Sequence, residues 1–221
     1  MHELKAVAVK PLTQTLCWKS IATLFLLANC LMISDLQASV VTAEYVPPSF
    51  SSGSSVTGFN NGTTFLPAQT FTATVGGLLD DISVGIWSGA ANNVNVELRS
   101  TSGGLPTSTV LASSIITGSP YTSGVLHTAD FSSSGVTLAA STMYAISLRT
   151  VNGPPNNVGW SGDFPGSGGG FATSTNNGTS WTLDDERIGV FQVTVVPEPS
   201  AFTLAGLAAA AFGFFRRKRS K

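Results

Sequence analysis

The hexapeptide Val94-Asn95-Val96-Glu97-Leu98-Arg99 alternates apolar and polar residues without a break. A period of two sends Val94, Val96 and Leu98 to one side of an extended strand and Asn95, Glu97 and Arg99 to the other. A helix would scatter the same six residues around its circumference. The scheme recurs in Tyr144-Ala145-Ile146-Ser147-Leu148-Arg149 and in Phe191, Val193 and Val195. It recurs again where Ile82, Val84 and Ile86 alternate with Asp81, Ser83 and Gly85, and where Phe71, Ala73 and Val75 alternate with Thr70, Thr72 and Thr74. The runs are rich in β-branched and aromatic residues and are bounded by Gly, Pro, Asn and Ser. From Val40 to Val195 no helical stripe of useful length competes. The pattern predicts an all-β body of about eight to ten short antiparallel strands, each with one buried and one polar face. The architecture expected is a two-sheet antiparallel sandwich, jelly-roll-like, over residues 39–195.

Turn chemistry supports the strands. Ser102-Gly103-Gly104-Leu105-Pro106 offers two glycines for positive φ, then a proline of fixed φ. Asn60-Asn61-Gly62-Thr63-Thr64-Phe65 and Asn176-Asn177-Gly178-Thr179-Ser180-Trp181 are two versions of one pattern, each read as a type I′ turn feeding a strand. Asn152–Asn157 and Gly166–Gly170 read as longer loops.

Of the 221 residues only 10% are charged, against roughly 25% in an ordinary soluble domain. The hydrophobic share of 43% excludes the disordered class, and no Gly-X-Y period points to collagen. Charge is distributed unevenly. Residues 39–196 contain three cations, Arg99, Arg149 and Arg187, against nine carboxylates, and no lysine. Such an acidic body has no electrostatic footprint for phosphate backbones, so nucleic acid is excluded as a partner.

Residues 1–38 read as a secretory signal peptide. Lys5, Lys10 and Lys19 precede Ile21–Ile33, an uncharged apolar run of 13 residues, the length of a signal core rather than of a span. Cleavage is expected after Ala38, with Val41-Thr42-Ala43 as a second small-x-small site. Both cysteines, Cys17 and Cys30, fall in the removed segment, so the mature body has neither disulfide nor thiolate metal site.

Residues 196–221 form the third unit. Val196-Pro197-Glu198-Pro199-Ser200 cannot continue a strand or helix, because two prolines in three residues remove the donors and restrict their neighbours. Ala201–Phe215 follows without a charge, and the chain then carries Arg216, Arg217, Lys218, Arg219 and Lys221. Residues 200–215 read as a transmembrane helix. Its 15 apolar residues cover about 22 Å, shorter than a hydrocarbon core of about 30 Å but tolerable with snorkelling arginines. The basic stop at 216–221 places that end in the cytoplasm and the body outside.

This order of Pro-Glu-Pro, apolar helix and arginine cluster resembles the PEP-CTERM sorting domain of exported proteins in exopolysaccharide-producing Gram-negative bacteria. Pro197, Glu198 and Pro199 match the signature tripeptide, and Arg216 and Arg217 the start of the basic stop. The resemblance implies an exosortase-type processing enzyme as partner, anchoring in the inner membrane before sorting, and a destination at the cell surface or in the extracellular matrix. Within the body, Val94–Arg99 with Gly103-Gly104-Leu105-Pro106, Met143–Leu148, Val158-Gly159-Trp160 and Asn177–Trp181 resemble the choice-of-anchor β-sandwich domains of R type. Those domains imply no common activity.

No catalytic constellation stands out, and no catalytic residue or cofactor is assigned. The body has one histidine, His127; it could pair with Asp130, but no Gly-x-Ser-x-Gly accompanies them. One histidine cannot build a zinc site. Asp163, Asp184 and Asp185 are candidate Ca²⁺ ligands, and adjacent acids invite a glycosidase reading, although neighbours on a strand point apart. Trp87, Trp160 and Trp181 are candidates for a sugar-stacking platform facing an extracellular polysaccharide, against the plainer expectation that they pack in the core. The function expected first is that of an exported, non-enzymatic surface or matrix protein. A carbohydrate-binding module using the tryptophans comes second, and a secreted hydrolase third.

Overall fold

A computed structural model describes residues 38–50, 55–59, 66–87, 93–117, 121–151, 158–163 and 169–198. The expected signal helix at 1–38 (save Ala38), the helix at 200–215 and the Asn60–Phe65 turn lie outside them.

The described residues hold 14 strands and no helix. They are β1 (Val40–Tyr45), β2 (Ser55–Phe59), β3 (Leu66–Thr72), β4 (Gly77–Trp87), β5 (Val94–Ser102), β6 (Leu105–Ile116) and β7 (Leu126–Asp130). There follow β8 (Thr137–Leu138), β9 (Met143–Thr150), β10 (Val158–Asp163), β11 (Phe171–Ser174), β12 (Thr182–Asp184), β13 (Ile188–Gly189) and β14 (Phe191–Val196). The count exceeds the expected eight to ten because β8, β12 and β13 are pairings of two or three residues with no hydrophobic period to announce them.

All pairings are antiparallel and form two sheets. One runs β1-β14-β4-β10-β13, with β7 and β8 added to β4 and β2 to β10; the other runs β12-β11-β3-β9-β5-β6. The period-two reading fixes the inner faces. Val94, Val96 and Leu98 of β5 stand beside Leu148 and Ile146 of β9 and meet Ile82 and Val84 of β4 and Val193 of β14 in one core. Aromatic rings bridge the sheets. Phe71 lies 5.8 Å from Phe191, and Trp160 meets Phe171 edge-on at 5.8 Å. Such a core is the main stabilising term, at roughly 25 cal/mol per Å² of apolar surface removed from water.

Two of the predicted turns fall within the described residues and are present. Gly103 and Gly104 adopt φ of 59° and 81° between Ser102 and Leu105, closing the β5–β6 hairpin. Asn177 and Gly178 adopt 61° and 83°, with Thr179 N–H donating to Asn176 O, as a type I′ turn requires.

The outer face of β5 is not open to solvent. Glu97 and Arg99 lie on the polar face that the alternation predicts, yet they are only 7% and 3% exposed. The connection from Ser174 to Trp181 covers them.

Candidate functional site

The sorting segment begins where a sheet ends. β14 is paired on both sides, Val195 with Val40 of β1 and with Leu79 of β4, and Val196 with Leu78. Val195 is fully buried, Pro197 half-buried and Glu198 exposed. Pro197 has no N–H to offer a further pairing, so the strand stops there. Gly77 makes room for the exit: a Cβ at that position would stand 2.4 Å from Val196 O and 2.9 Å from the Pro197 Cα. Glu198 is thus presented in solvent two residues beyond a strand locked on both edges. Pro199 and the cations Arg216, Arg217, Lys218 and Arg219 lie outside the described residues.

The three tryptophans do not form a platform. Trp160 is 0% exposed between the sheets, and its Nε1 donates to Val190 O at 2.9 Å. It cannot stack on a sugar, which corrects its candidacy. Trp87 stands opposite Gly159, the neighbour of Trp160 on β10, and so points to the outer face of the first sheet. A Cβ on Gly159 would fall 2.2 Å from the indole, so the ring lies flat on a bare backbone. Trp181 covers the outer face of the other sheet, 5.5 Å from the Arg99 guanidinium. One ring is internal and the other two occupy opposite outer surfaces.

The calcium candidates are likewise separate. Asp163 accepts from the Tyr45 hydroxyl at 3.1 Å, Asp184 pairs with Arg187 at 3.1 Å, and Asp185 accepts from Gly170 N–H at 3.4 Å. Among the described residues no three His, Cys, Asp or Glu side chains converge as a metal ion needs. His127 and Asp130 are three residues apart on β7 and therefore face opposite ways. His127 packs edge-on against Tyr121 at 5.0 Å, while Asp130 accepts from the Ser132 N–H and hydroxyl at 2.8 and 2.6 Å.

Two features escaped the sequence reading. The first is a buried polar network on the outer face of β5 and β9. Arg99 Nη2 pairs with Glu97 Oε2, its Nε donates to Ser147 Oγ at 2.7 Å, and Nη1 reaches Thr107 O and Ser108 O at 3.2 and 3.3 Å. Ser147 passes its own proton to Glu97 at 2.9 Å, and Arg149 Nε lies 3.4 Å from the same carboxylate. Arg149 also holds Asn177 Oδ1, which pins the turn to the sheet. The arginine satisfies carbonyls that a bulge in β6 leaves unpaired, since β5 and β6 lose register between Arg99 and Thr101. Alternation alone cannot announce such a cover.

The second is an open cleft of about 420 Å³ lined by Tyr45, Gln69, Phe71, Met143, Leu183 and Phe191, with the carboxylates of Glu44 and Asp185 among its walls. Burial, then the hydrogen bond to Asp163, holds the Tyr45 hydroxyl above its ordinary pKa. Glu44 accepts from Gln192 Nε2 at 2.8 Å. These residues come from strands far apart in the chain, which no local motif reports.

Residues 195–219 match the family model of the PEP-CTERM protein-sorting motif, so the chain carries that motif and it begins inside β14. No curated protein matches the sequence. Among solved structures, the chain is similar to the cysteine protease and lectin-like domains of a surface-layer-associated protein of Clostridium difficile. It is 13% identical, covering 61% of this chain and 32% of that one, with a TM-score of 0.43. A clostridial cysteine protease after propeptide cleavage is 14% identical, covering 65% of this chain and 38% of that one, with a TM-score of 0.45. The chain spans well under half the length of either. Likeness at this level assigns no activity.

Proposed function

We propose that this is an exported, non-enzymatic protein of the cell surface or extracellular matrix of a Gram-negative bacterium. In this reading residues 1–38 direct export, and an exosortase-type enzyme processes the chain through Pro197-Glu198-Pro199. The observation that carries it is the sorting motif at 195–219, set directly on the end of β14.

The placement suits the role. Cleavage beyond Glu198 leaves every residue of β14 in the body, so processing costs the sheets no hydrogen bond. At the other end, cleavage after Ala38 spares β1, whereas cleavage after Ala43 would cut through a strand paired with β14. Four of the nine acids of the body are engaged by other side chains, Glu97 with two arginines, Asp184 with Arg187, Asp163 with Tyr45 and Glu44 with Gln192, which supports a non-enzymatic reading at those four positions.

Intact-mass measurement on surface-extracted protein tests the reading. The expected mature chain begins near Ser39 and lacks residues 201–221. A mass that retains 201–221 would make the tail a permanent anchor.

A further inference from the structure

Three exposed apolar side chains surround the point where the chain leaves β14. Val40 is 40% exposed, Val41 39% and Leu78 37%. Val40 stands opposite Val195 on the inner side of the sheet, and Val41 opposite Thr194 and Leu78 opposite Val196 on its outer side, so the three flank the last rungs of adjoining strands from both faces. The chain enters the body at this same rim, since β1 starts beside the end of β14. Everything N-terminal to Val40 and everything C-terminal to Val196 is tethered at one end of the first sheet.

Four residues, Pro197–Ser200, separate Val196 from the apolar run that begins at Ala201. The five steps from Val196 to Ala201, at about 3.3–3.6 Å each, span at most about 18 Å. Whatever holds Ala201 therefore keeps the rim within that distance. The apolar run is itself too short for a relaxed bilayer, and a body end seated at the lipid interface relieves part of the mismatch. The stretches around the rim carry Glu44, Asp80 and Glu198 and no cation. Residues 38–46, 76–80 and 194–198 include no lysine or arginine, so any contact is made by apolar side chains and not by attraction to anionic lipid.

We infer that Val40, Val41 and Leu78 form a membrane-seating rim, on which the unprocessed body rests against the outer surface of the bilayer while the sorting segment awaits cleavage. This rests on the reading of residues 201–215 as membrane-borne. The rim holds the Glu198 segment close to the membrane-water boundary. After cleavage it loses its support and becomes ordinary surface.

The test uses the full chain with Cys17→Ser and Cys30→Ser and one new label site, Val40→Cys, Leu78→Cys or Ile115→Cys. Ile115 is 49% exposed and pairs with Asn95 at the distal end of the six-stranded sheet. Each variant carries an environment-sensitive fluorophore and is reconstituted into phosphatidylethanolamine vesicles with a minor share of phosphatidylglycerol and a spin-labelled headgroup quencher. Labels at Val40 and Leu78 should be quenched at least about twice as strongly as the label at Ile115, and no less in high salt than in low. Equal quenching at all three sites in chains that float with the vesicles overturns the rim and leaves the anchor standing. Chains that fail to float overturn both.

Discussion

Arg99 and Glu97, two residues apart on β5, form an ion pair on the outer face of the six-stranded sheet with side chains only 3% and 9% exposed. Both point away from the core, and both are dry because the Ser174–Trp181 connection lies over them. A pair desolvated this far stabilises the fold only if its remaining hydrogen-bonding capacity is filled. Ser147, Arg149 and the Thr107 and Ser108 carbonyls fill it.

The pair can be broken asymmetrically. Arg99→Leu takes the close partner from a buried carboxylate that keeps only the Ser147 hydroxyl and the 3.4 Å contact to Arg149, and should cost about 3 kcal/mol, whereas Arg99→Leu with Glu97→Leu should recover more than half of that loss. Arg99→Lys should also lose at least about 1 kcal/mol, because an ammonium cannot reach a carboxylate, a hydroxyl and two carbonyls at once. Urea denaturation measures all three. A double variant no better than the single one would show that the face tolerates no apolar replacement.

Trp181 is the lid of that network. Its Nε1 is buried and has no hydrogen-bond partner among the described residues, so the ring serves by area and by its face over Arg99. Trp181→Phe should therefore stay within about 1 kcal/mol of the parent, while Trp181→Ala should lose about 2–4 kcal/mol and admit water to the ion pair. Urea midpoints test the energies, and amide exchange in 174–181 tests the uncovering. A loss in Trp181→Phe as large as in Trp181→Ala would mean that the indole N–H has a partner.

The strand period shows what sequence could and could not reveal here. It placed Val94, Val96 and Leu98 in the core, because the identity of an inward face depends only on alternation. It put Glu97 and Arg99 on the opposite face but could not reveal their burial, because covering that face takes a turn some eighty residues away. The Asn177-Gly178 turn was itself legible from its residue types. Its landing place was not. Trp160 gave a similar ambiguity, since a tryptophan between a glycine and a serine reads the same whether it packs inward or lies on the surface. The sorting segment was legible throughout, because prolines, an apolar run and a cation cluster act through local properties.

Asp81 links stability to pH. It faces Asp130 directly across β4 and β7, with Asp80 beside it. Burial first, then the Asp80 and Asp130 charges, raise its carboxyl pKa, whereas the Ser132 hydroxyl and N–H hold the Asp130 carboxyl down. A pKa raised by folding means that the native state holds the proton more tightly. The contribution of Asp81 is therefore unfavourable above its folded pKa and is relieved as pH falls through it towards the unfolded value. Asp81→Asn should raise the urea midpoint near pH 7, and the gain should vanish by about pH 3. A gain undiminished in acid would assign it to something other than charge.

Gly77 and Glu198 separate the structural from the recognition role of the exit. Gly77→Ala drives a Cβ into the Val196 carbonyl, so the last rung of β14 must shift, at a cost of about 1–3 kcal/mol. Freeing that rung lengthens the accessible segment, and processing should proceed at least as fast as in the parent. Glu198 is exposed, and Glu198→Ala should leave stability within about 0.5 kcal/mol. Its carboxylate is nevertheless the one charge on a segment that two prolines keep extended and unpaired, which makes it the natural handle for a processing enzyme. Glu198→Ala should thus accumulate as folded, membrane-retained precursor. Pulse-chase with surface proteolysis distinguishes the two variants. Normal maturation of Glu198→Ala would place recognition on the prolines or on the apolar run instead.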